Sequence, residues 1–419
     1  MARPYRGKGR RSRRGATKTD DRLPKFASDL KQAVMVNGYS AEWLGKGFDW
    51  VYRNEVVAEH GSPCPGDVVD LVAQDGRHFG VGIAADGKVA VRRFRTDRGP
   101  IDAPLVHERM AAALERRRIP DTTTAWRWVH GENDDLPGLR VDVWGSHATI
   151  ALDDPSLAPL LDPVLESLLA HPDIDTVWEN TRPVHDEQRD SPVPGQCIAG
   201  DGGEEVVTVL EDALRFEVCP RMGLDAGLYP DMRDVRRWLR PYWAEKRVLN
   251  TFAYTGAFSV AAAANGATRV DTVDLSAPAI ARAKRNFELN GLDTDVHGFW
   301  TEDTFKALDR FRRAGTLFDI IVVDPPSFAR GPDGTWSVEQ GLSRVLAGCL
   351  RVLAPGGWIL VATNQGSVSP KEFQKLIKAA SLKVSRRLRL IHQGSPPHDI
   401  PASLDFPESR YLKAWVLEG

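Results

Sequence analysis

The stretch "RVLNTFAYTGAFSVAAAANGATRVDTVDL", residues 247–275, holds two short apolar runs separated by an alanine-rich segment. The runs 247–252 and 269–275 have the length and β-branched content of buried strands, and 256–266 has the composition of a helix. The same alternation continues along the chain, with further elements predicted at 277–291, 318–326, 343–353 and 356–363. This order predicts a parallel, doubly wound α/β sheet, in which ligands bind beyond the carboxyl ends of the strands.

Residues suited to an adenosine cofactor follow these strands. Gly256 stands in the first turn, where glycine lets the backbone approach a ligand, and Asp274 ends the next strand, where a carboxylate can accept both ribose hydroxyls. The G-x-G-x-x-G pattern that binds a pyrophosphate is missing, so a nicotinamide-dependent oxidoreductase is the weaker alternative. S-adenosylmethionine (SAM) has no phosphate, and its sulfonium and amino group suit the acids around the pocket. The sequence therefore predicts SAM.

The segment "VVDPPSFARG", residues 322–331, ends a buried strand with Asp324, Pro325 and Pro326. Proline cannot continue the ladder of hydrogen bonds, so the carboxylate and the proline carbonyls are expected to project into the crevice. There they can accept hydrogen bonds from an amino group or ring N–H of a base, and Phe328 can offer a face to a flipped-out base. The alternative for Asp-Pro-Pro is a capped strand end without a substrate.

Residues 247–328, with "LNTFAYTGAFSVAAAANGA" and "VVDPPSFAR", resemble the bacterial large-subunit ribosomal RNA methyltransferases of the type that makes 5-methylcytosine, and their guanine-N7 relatives. Residues 50–100 look like the PUA domain of that family, and "VHGENDDLPGLRVD" (129–142) looks like its central β-hairpin. The closing strand of the family is similar to "FPESRYLKAWVL" (406–417). The resemblance implies a SAM-dependent methyltransferase that acts on a base of RNA.

The resemblance and the composition together predict four regions. They are a basic disordered tail at 1–20, a PUA-like RNA-binding domain at 31–100, a central α+β domain with a hairpin at 101–220, and a Rossmann-like class I methyltransferase domain at 221–419. Within them we expect hairpin turns at Asp75-Gly76 and Asp86-Gly87 in a compact meander or barrel. The central domain should hold a helix at 101–118 and strands within 126–152. The Pro- and Gly-rich residues 181–204 are predicted to form a loop.

The resemblance also implies where the cofactor and the base would bind. The loop around Gly256 and Asp274 would hold the methionine and ribose parts of SAM, Asp303 the adenine, and Asp324 would face the target base. The residues expected to bind SAM are Phe252, Tyr254, Thr255, Gly256, Asp274, Leu275, Asp303, Thr304 and Asp324. The residues expected to be catalytic are Asp324, Pro325, Phe328 and Asn364. No metal is expected, because the cysteines and histidines lack metal-like spacing.

The sequence departs from the 5-methylcytosine type at the nucleophile. Carbon 5 of a pyrimidine needs a thiolate to add at carbon 6, and family members carry that cysteine in a Ser-Cys-Ser-like run. Here the run is "VATNQGSVSP" (361–370), where Asn364 replaces the cysteine, and Cys349 is expected in a helix core. A base nitrogen needs no covalent help. We therefore predict methyl transfer to a base nitrogen, guanine favoured; 5-methylcytosine synthesis and a non-catalytic RNA-binding assembly factor are the alternatives.

Charge and composition suggest the partner and the compartment. The first 19 residues carry eight basic side chains and no acid, while the rest of the chain carries 47 basic and 57 acidic residues. Such an arm suits a polyanion such as RNA, with a solubilising tail as the alternative. No stretch approaches the roughly 20 apolar residues of a membrane helix, and a cytoplasmic protein is expected. A homodimer is an open alternative.

Three other features carry weaker signals. Asp231-Met232-Arg233 corresponds to an Asp-Gln-Arg loop of the family, which would help close over the cofactor. Ser327 takes the place where an aromatic residue usually follows Asp-Pro-Pro. His392 and His398 fall in a Pro-rich turn of the final hairpin, and for both we expect a surface or packing role.

Overall fold

The computed structural model describes residues 30–180, 194–202, 205–331 and 334–419, without the side chains of 224–225, 328–331 and 334–335. The tail predicted at 1–20 and most of the loop predicted at 181–204 therefore lie outside the described residues. Within them, no helix has the length and apolar character needed to cross a membrane. Nor does this part of the chain bring three or more His, Cys, Asp or Glu side chains together as a metal site.

The N-terminal domain is a mixed six-stranded sheet with one helix. Its elements are β1 (Ala33–Val36), α1 (Gly38–Gly45), β2 (Trp50–Tyr52), β3 (Val56–His60), β4 (Val68–Ala73), β5 (His78–Ala84) and β6 (Val89–Arg95). The predicted turns at Asp75-Gly76 and Asp86-Gly87 join β4 to β5 and β5 to β6, which pair antiparallel. β1 pairs in parallel with β4, so a simple meander is wrong. The strand order is β2-β6-β5-β4-β1-β3.

The central domain packs two helices on a five-stranded sheet. Its elements are α2 (Ala103–Arg116), β7 (Ala125–His130), β8 (Leu139–Trp144), β9 (His147–Leu152), α3 (Leu161–Leu169), β10 (Thr176–Glu179) and β11 (Gln196–Ala199). The loop prediction for 181–204 is wrong at β11, which pairs antiparallel with β10. The hydrogen bonds that hold this short strand come from β10, and local composition gives no sign of such a partner.

A two-stranded ribbon, β12 (Val207–Glu211) and β13 (Leu214–Val218), lies between the central and C-terminal domains. The Leu210 N–H donates to Thr124 Oγ1 of the central domain at 2.8 Å. The Glu217 N–H donates to Asn286 Oδ1 of the C-terminal domain, also at 2.8 Å. Because the ribbon contacts both, the domain boundary at residue 220 stays a prediction.

The C-terminal domain is the predicted doubly wound sheet. Its helices are α4 (Arg233–Leu239), α5 (Ala257–Ala264), α6 (Ala277–Leu289), α7 (Thr304–Arg313), α8 (Val338–Val352) and α9 (Pro370–Lys383). Its strands are β14 (Arg247–Thr251), β15 (Arg269–Asp274), β16 (Gly298–Thr301), β17 (Phe318–Val323), β18 (Phe328–Gly331), β19 (Gly334–Ser337), β20 (Leu353–Thr363), β21 (Arg389–Gly394) and β22 (Lys413–Glu418). The main sheet has the order β16-β15-β14-β17-β20-β22-β21, while β18 and β19 form a separate hairpin.

Both faces of this sheet are buried, which explains the nearly continuous apolar runs in its strands. Leu249 and Ile321 pack in one cluster with α7, α8 and α9, and Val248 and Ile320 pack in another with α4 and α5. The five neighbouring strands β16, β15, β14, β17 and β20 are parallel, and β14 has β15 on one side and β17 on the other. The chain therefore changes direction across the sheet at β14, and a crevice is expected at its carboxyl end.

The segment 395–412, which precedes β22, ties the three domains together. Its Phe406 ring stacks on Phe48 of the N-terminal domain, with centroids 5.4 Å apart. The Ser403 N–H donates to Asn133 Oδ1 of the central domain at 2.7 Å. Asp399 forms a buried ion pair with Arg233 at the start of α4. The accessory domains are thus fixed to the same segment that leads to the edge of the crevice.

Candidate active site

A cleft of about 1320 Å³ opens at the carboxyl ends of β14, β15 and β17. The sequence-predicted residues that line it are Phe252, Tyr254, Thr255, Asp274, Leu275, Asp303, Thr304, Asp324, Pro325 and Asn364. Gly256 follows the lining residues 252–255 in the same loop and caps α5, and the side chain of Phe328 is outside the described residues. The structure thus brings nearly all the predicted positions to one cavity.

The loop between β14 and α5 has a backbone that turns sharply towards the cleft. Phe252, Tyr254 and Gly256 all have left-handed conformations, with φ of 54°, 50° and 78°. For the two aromatic residues this conformation costs energy, which surrounding contacts must offset. A Cβ atom at Gly256 would lie 2.9 Å from the Cβ of Ala283 on α6, so glycine also allows the two helices to approach.

Asp274 is fixed at the end of β15 by two backbone groups. Its Oδ2 accepts a hydrogen bond from the Tyr254 N–H at 2.8 Å, and its Oδ1 accepts one from the Ser276 N–H at 2.8 Å. Each oxygen retains a lone pair that can face the cleft. The adjoining Leu275 is 57% exposed and lines the cleft, where it offers an apolar surface to a planar ring.

Asp303 has a structural function in addition to its predicted contact with adenine. Its Oδ1 caps α7 by accepting hydrogen bonds from the Phe305 and Lys306 N–H groups at 2.9 and 3.2 Å. Phe305 lines the cleft beside it and stacks under the guanidinium of Arg344, which is 4.4 Å from the ring centroid. This end of the cleft therefore combines an acid with an aromatic wall.

The Asp-Pro-Pro segment forms the opposite end, and one of its carbonyls is already engaged. The indole N–H of Trp336 donates to the carbonyl of Pro326 at 2.8 Å. Trp336 also packs on Phe252, with centroids 5.6 Å apart, and lines the cleft. Of the two proline carbonyls expected to face a base, Pro326 is therefore occupied by the β18–β19 hairpin, and Pro325 is the better candidate.

Two of the departures from the family pattern, Ser327 and Asn364, are in contact with each other. Ser327 Oγ donates to Asn364 Oδ1 at 2.6 Å, although 37 positions separate the two residues. Asn364 is exposed and lines the cleft after β20. Because its oxygen is bound by Ser327, its amide nitrogen is left as the donor available to a ligand.

The end of the cleft formed by the Asp-Pro-Pro segment, here called the acceptor end, is rich in carboxylate. Burial and the nearby charge of Asp231 raise the pKa of Asp324 to about 7, while Arg236 opposes the shift. Asp231 also lines the cleft and accepts a hydrogen bond from the Tyr411 hydroxyl at 3.0 Å. Burial raises the pKa of Asp231 as well. Sequence reasoning did not place Arg236 or Trp336 in the site, and it gave Asp231 only as part of the loop that would help close over the cofactor.

The described residues include all four cysteines, and none of them lines the cleft. Cys349 is fully buried on α8, as expected, and burial raises the pKa of its thiol. Cys219 is also buried, and Cys64 and Cys197 belong to the N-terminal and central domains. His392 stacks on Trp238 at 4.0 Å and His398 is exposed, so neither histidine lines the cleft.

The residues present fit SAM. Glycine at 256 permits the close approach of the loop, the held carboxylate of Asp274 can accept ribose hydroxyls, and Leu275 and Phe305 can flank an adenine. The surplus of acids over the few cations of the lining suits a ligand with a sulfonium and an ammonium group. Fold and cleft together are those of a class I SAM-dependent methyltransferase.

Comparison with known proteins agrees. Residues 172–404 match the family model of S-adenosylmethionine-dependent methyltransferases, and residues 34–96 match that of the PUA-like domain. Ribosomal RNA large subunit methyltransferase I of Aeromonas salmonicida is 30% identical over 375 residues, which cover 88% of this chain and 95% of that protein. The protein of the same name from Shewanella denitrificans is 30% identical over 374 residues, 88% of this chain and 94% of that one. The crystal structure of SMU.776 complexed with SAH has a TM-score of 0.84 at 24% identity, covering 92% of this chain and all of that one.

The chain therefore belongs to the S-adenosylmethionine-dependent methyltransferases, and within them to the PUA-containing family of these large-subunit methyltransferase I proteins. Its cofactor is SAM, as the sequence predicts.

Proposed function

We propose that this enzyme methylates a base nitrogen of large-subunit ribosomal RNA, with guanine favoured. The observation that carries the proposal is the composition of the cleft: Asp324, Pro325 and Asn364 all line it, and no cysteine does. SAM supplies an electrophilic methyl group when bound. The chain must then hold a nitrogen lone pair in line with it, exclude water and manage one proton.

Each predicted catalytic residue has a role in this arrangement. Asp324 and the Pro325 carbonyl accept hydrogen bonds from N–H groups of the base, which fixes its rotation in the cleft. Asn364 donates its amide N–H to an acceptor on the base edge, because Ser327 holds its oxygen. Guanine presents both kinds of group, with N1–H and N2–H₂ donors beside the O6 acceptor. Phe328 keeps its predicted stacking role.

The other cofactor residues keep their predicted roles as part of the proposal, while Asp324, predicted to contact both SAM and the base, is assigned here to the base. The loop of Phe252, Tyr254, Thr255 and Gly256 would face the methionine part of SAM, and Asp274 the ribose. Leu275, Asp303 and Thr304 would border the adenine. In this arrangement the methyl group would lie towards Asp324, because the loop and the Asp-Pro-Pro segment follow neighbouring strands.

The missing thiol argues against the 5-methylcytosine alternative. Addition to carbon 6 of cytosine needs a sulfur atom within bonding distance of the base, which a cysteine in a helix core or in another domain cannot supply. The non-catalytic alternative is disfavoured by the intact set of strand-end residues. RNA as substrate is supported by the PUA-like domain and by the names of the relatives. A cytoplasmic location would follow from that substrate.

A homodimer stays part of the proposal as a prediction. β21 forms one edge of the seven-stranded sheet in the described residues, and Leu390 and Ile391 on it are 46% and 41% exposed. Exposed apolar side chains on an unpaired edge favour association with a second strand.

The test is nucleoside mass spectrometry. Ribosomal RNA from a strain lacking this gene, as naked RNA and as subunits, is incubated with purified protein and methyl-labelled SAM. Label in an N-methylated nucleoside, methylguanosine foremost, is the expected result. Label in 5-methylcytidine would refute the proposal, and cofactor binding without any label would favour the non-catalytic alternative.

A further inference from the structure

Three buried guanidinium groups surround the loop that carries Asp231, and each already has its own carboxylate. The pairs are Arg127 with Asp142 at 2.7 and 3.2 Å, Arg236 with Glu211 at 2.6 and 2.8 Å, and Arg233 with Asp399. All six residues are more than nine-tenths buried. The first two pairs are bidentate, and the third has one such hydrogen bond because the other terminal nitrogen of Arg233 donates to the Ala125 carbonyl. Each pair neutralises its own charge, so the three add little net positive charge to their surroundings.

Asp231 and Asp324 are two nearby carboxylates that have no such partner. Both line the cleft, and neither forms an ion pair with a basic side chain in the described residues. Asp231 is held in place by the Tyr411 hydroxyl at 3.0 Å, and Tyr411 belongs to the segment that ties the domains together. Burial raises the pKa of both carboxyl groups, and two such carboxylates in one cleft cannot both ionise without cost.

The remaining charged groups near Asp231 and Asp324 do not change the balance of charge around these two carboxylates. On the hairpin side, Arg140 lies 4.0 Å from the already paired Asp142. His130 contacts Arg127 at 3.0 Å, and burial and that cation hold the pKa of His130 well below its usual range, so its ring is neutral. The other charged side chains of the cleft lining are Asp274, Glu302, Asp303, Lys306, Asp309 and Arg344, on β15, α7 and α8 or the loops beside them.

We propose that Asp231 and Asp324 act as one proton-accepting pair, so that the methylated atom is a nitrogen that carries hydrogen. The inference rests on the proposed nitrogen-directed function and narrows it. The target nitrogen bonds to the methyl carbon as the carbon–sulfur bond breaks and its electrons stay on sulfur. The proton of that nitrogen passes to Asp324, and the pair returns it to solvent between turnovers. Guanine N1 or N2 satisfies this requirement, whereas guanine N7 has no proton to lose.

In this pair Asp324 faces the base, and Asp231 is a positioning residue that acts through it. The ionised carboxylate is the form that accepts the proton. Because the pKa of Asp324 is raised to about 7, kcat/KM should rise with pH through that region and level off above it. Removing the charge of Asp231 should lower the pKa of Asp324 and move this rise to lower pH.

The experiment compares pH profiles of kcat/KM for the wild type, Asp231→Asn and the control Asp234→Asn. Asp234 lies three residues further on, pairs with Arg237 at 2.8 Å and does not line the cleft. We expect the midpoint of the D231N profile to lie about one pH unit below that of the wild type. At a pH one unit below the wild-type midpoint, the fraction of the plateau kcat/KM that remains should then be about fivefold larger in D231N than in the wild type. D234N should follow the wild type. An unmoved rise in a folded D231N protein would overturn the pairing.

Two further measurements separate this inference from its alternatives. In ligand-free protein, the infrared difference between the wild type and Asp324→Asn should show a protonated carboxyl below pH about 7 that disappears above it; its absence would overturn the pairing even if D231N fails to fold. If Asp231 instead serves the sulfonium, D231N would weaken SAM but not SAH, which overturns the inference. An N7-methylguanosine product would overturn it while the proposed function stands, and 5-methylcytidine would overturn both.

Discussion

The two ends of the cleft treat their carboxylates in opposite ways. At the cofactor end, Asp274 accepts two backbone N–H groups, and the loop that supplies one of them holds two aromatic residues in left-handed conformations. At the acceptor end, Asp324 accepts no hydrogen bond within the described residues and has a pKa raised to about 7 by burial and by Asp231. The cofactor end is thus organised before binding, whereas the acceptor end keeps hydrogen-bonding capacity for the substrate.

This contrast implies that substitutions at the two ends of the cleft should change different constants, kcat at one end and the affinity for SAH at the other. A group held by the protein itself contributes to binding of the ligand that it was arranged for. A group left without partners contributes most when the substrate reaches the transition state. Changes at Asp324 should therefore lower kcat with little effect on SAH affinity, and changes at the glycine loop should do the reverse.

The largest effect is expected for Asp324→Ala. Loss of the acceptor that orients the base and takes its proton should lower kcat about 10³-fold, in the range found for removal of a transition-state contact. SAH affinity, measured by calorimetry, should change less than about threefold. Asp309→Ala, at an exposed acid of the same cleft lining, is the matched control and should keep its kcat. A comparable loss of SAH affinity in D324A would contradict the division between the two ends.

Gly256→Ala should have the next largest effect, on the cofactor. The added Cβ would lie 2.9 Å from the Ala283 Cβ in a backbone with φ of 78°, and the resulting strain of about 2 kcal/mol should weaken SAH about 30-fold. Gly291→Ala is a close control, because its φ is 66° and nothing lies within 4 Å of its Cβ position. Equal loss of SAH affinity in both variants would show that conformational strain alone, and not the approach of α5 to α6, is responsible.

The sequence could predict the site residues that follow strands, but not those that tertiary contacts bring to the cleft. Gly256, Asp274 and Asp324 were found because each follows directly from a strand that its own sequence specifies. Asp231 and Tyr411 are 180 positions apart, and the Trp336 contact with Pro326 depends on a hairpin that folds back over the cleft. Such contacts arise from tertiary packing, which no local pattern records. β11 escaped prediction for the same reason, since its strand conformation depends on β10.

A smaller effect is expected from substitutions of Asn364, which stands in place of the nucleophilic cysteine, and of Ser327, which donates a hydrogen bond to it. Asn364→Ala should lower kcat/KM for RNA about tenfold through loss of a donor to the base, and Ser327→Ala about threefold, because it frees the Asn364 amide to rotate. The double variant should resemble N364A, since Ser327 acts through Asn364, and the cycle should show a coupling of about 0.5 kcal/mol or more. Strictly additive losses would mean that the 2.6 Å contact has no part in reading the base.

The smallest effect is expected from removing every thiol. Cys64 and Cys197 are replaced by serine, and the buried Cys219 and Cys349 by alanine, which leaves no sulfur nucleophile in the chain. Stability should fall through the cavities left at the two buried sites, so the assay is run well below the midpoint of thermal unfolding. At that temperature the rate of methyl transfer to ribosomal RNA should stay within about threefold of the wild type, because no step at the acceptor end uses a thiolate. Loss of methyl transfer in a folded, SAH-binding quadruple variant would show that a cysteine reaches the cleft. It would then favour methyl transfer to carbon 5 of cytosine.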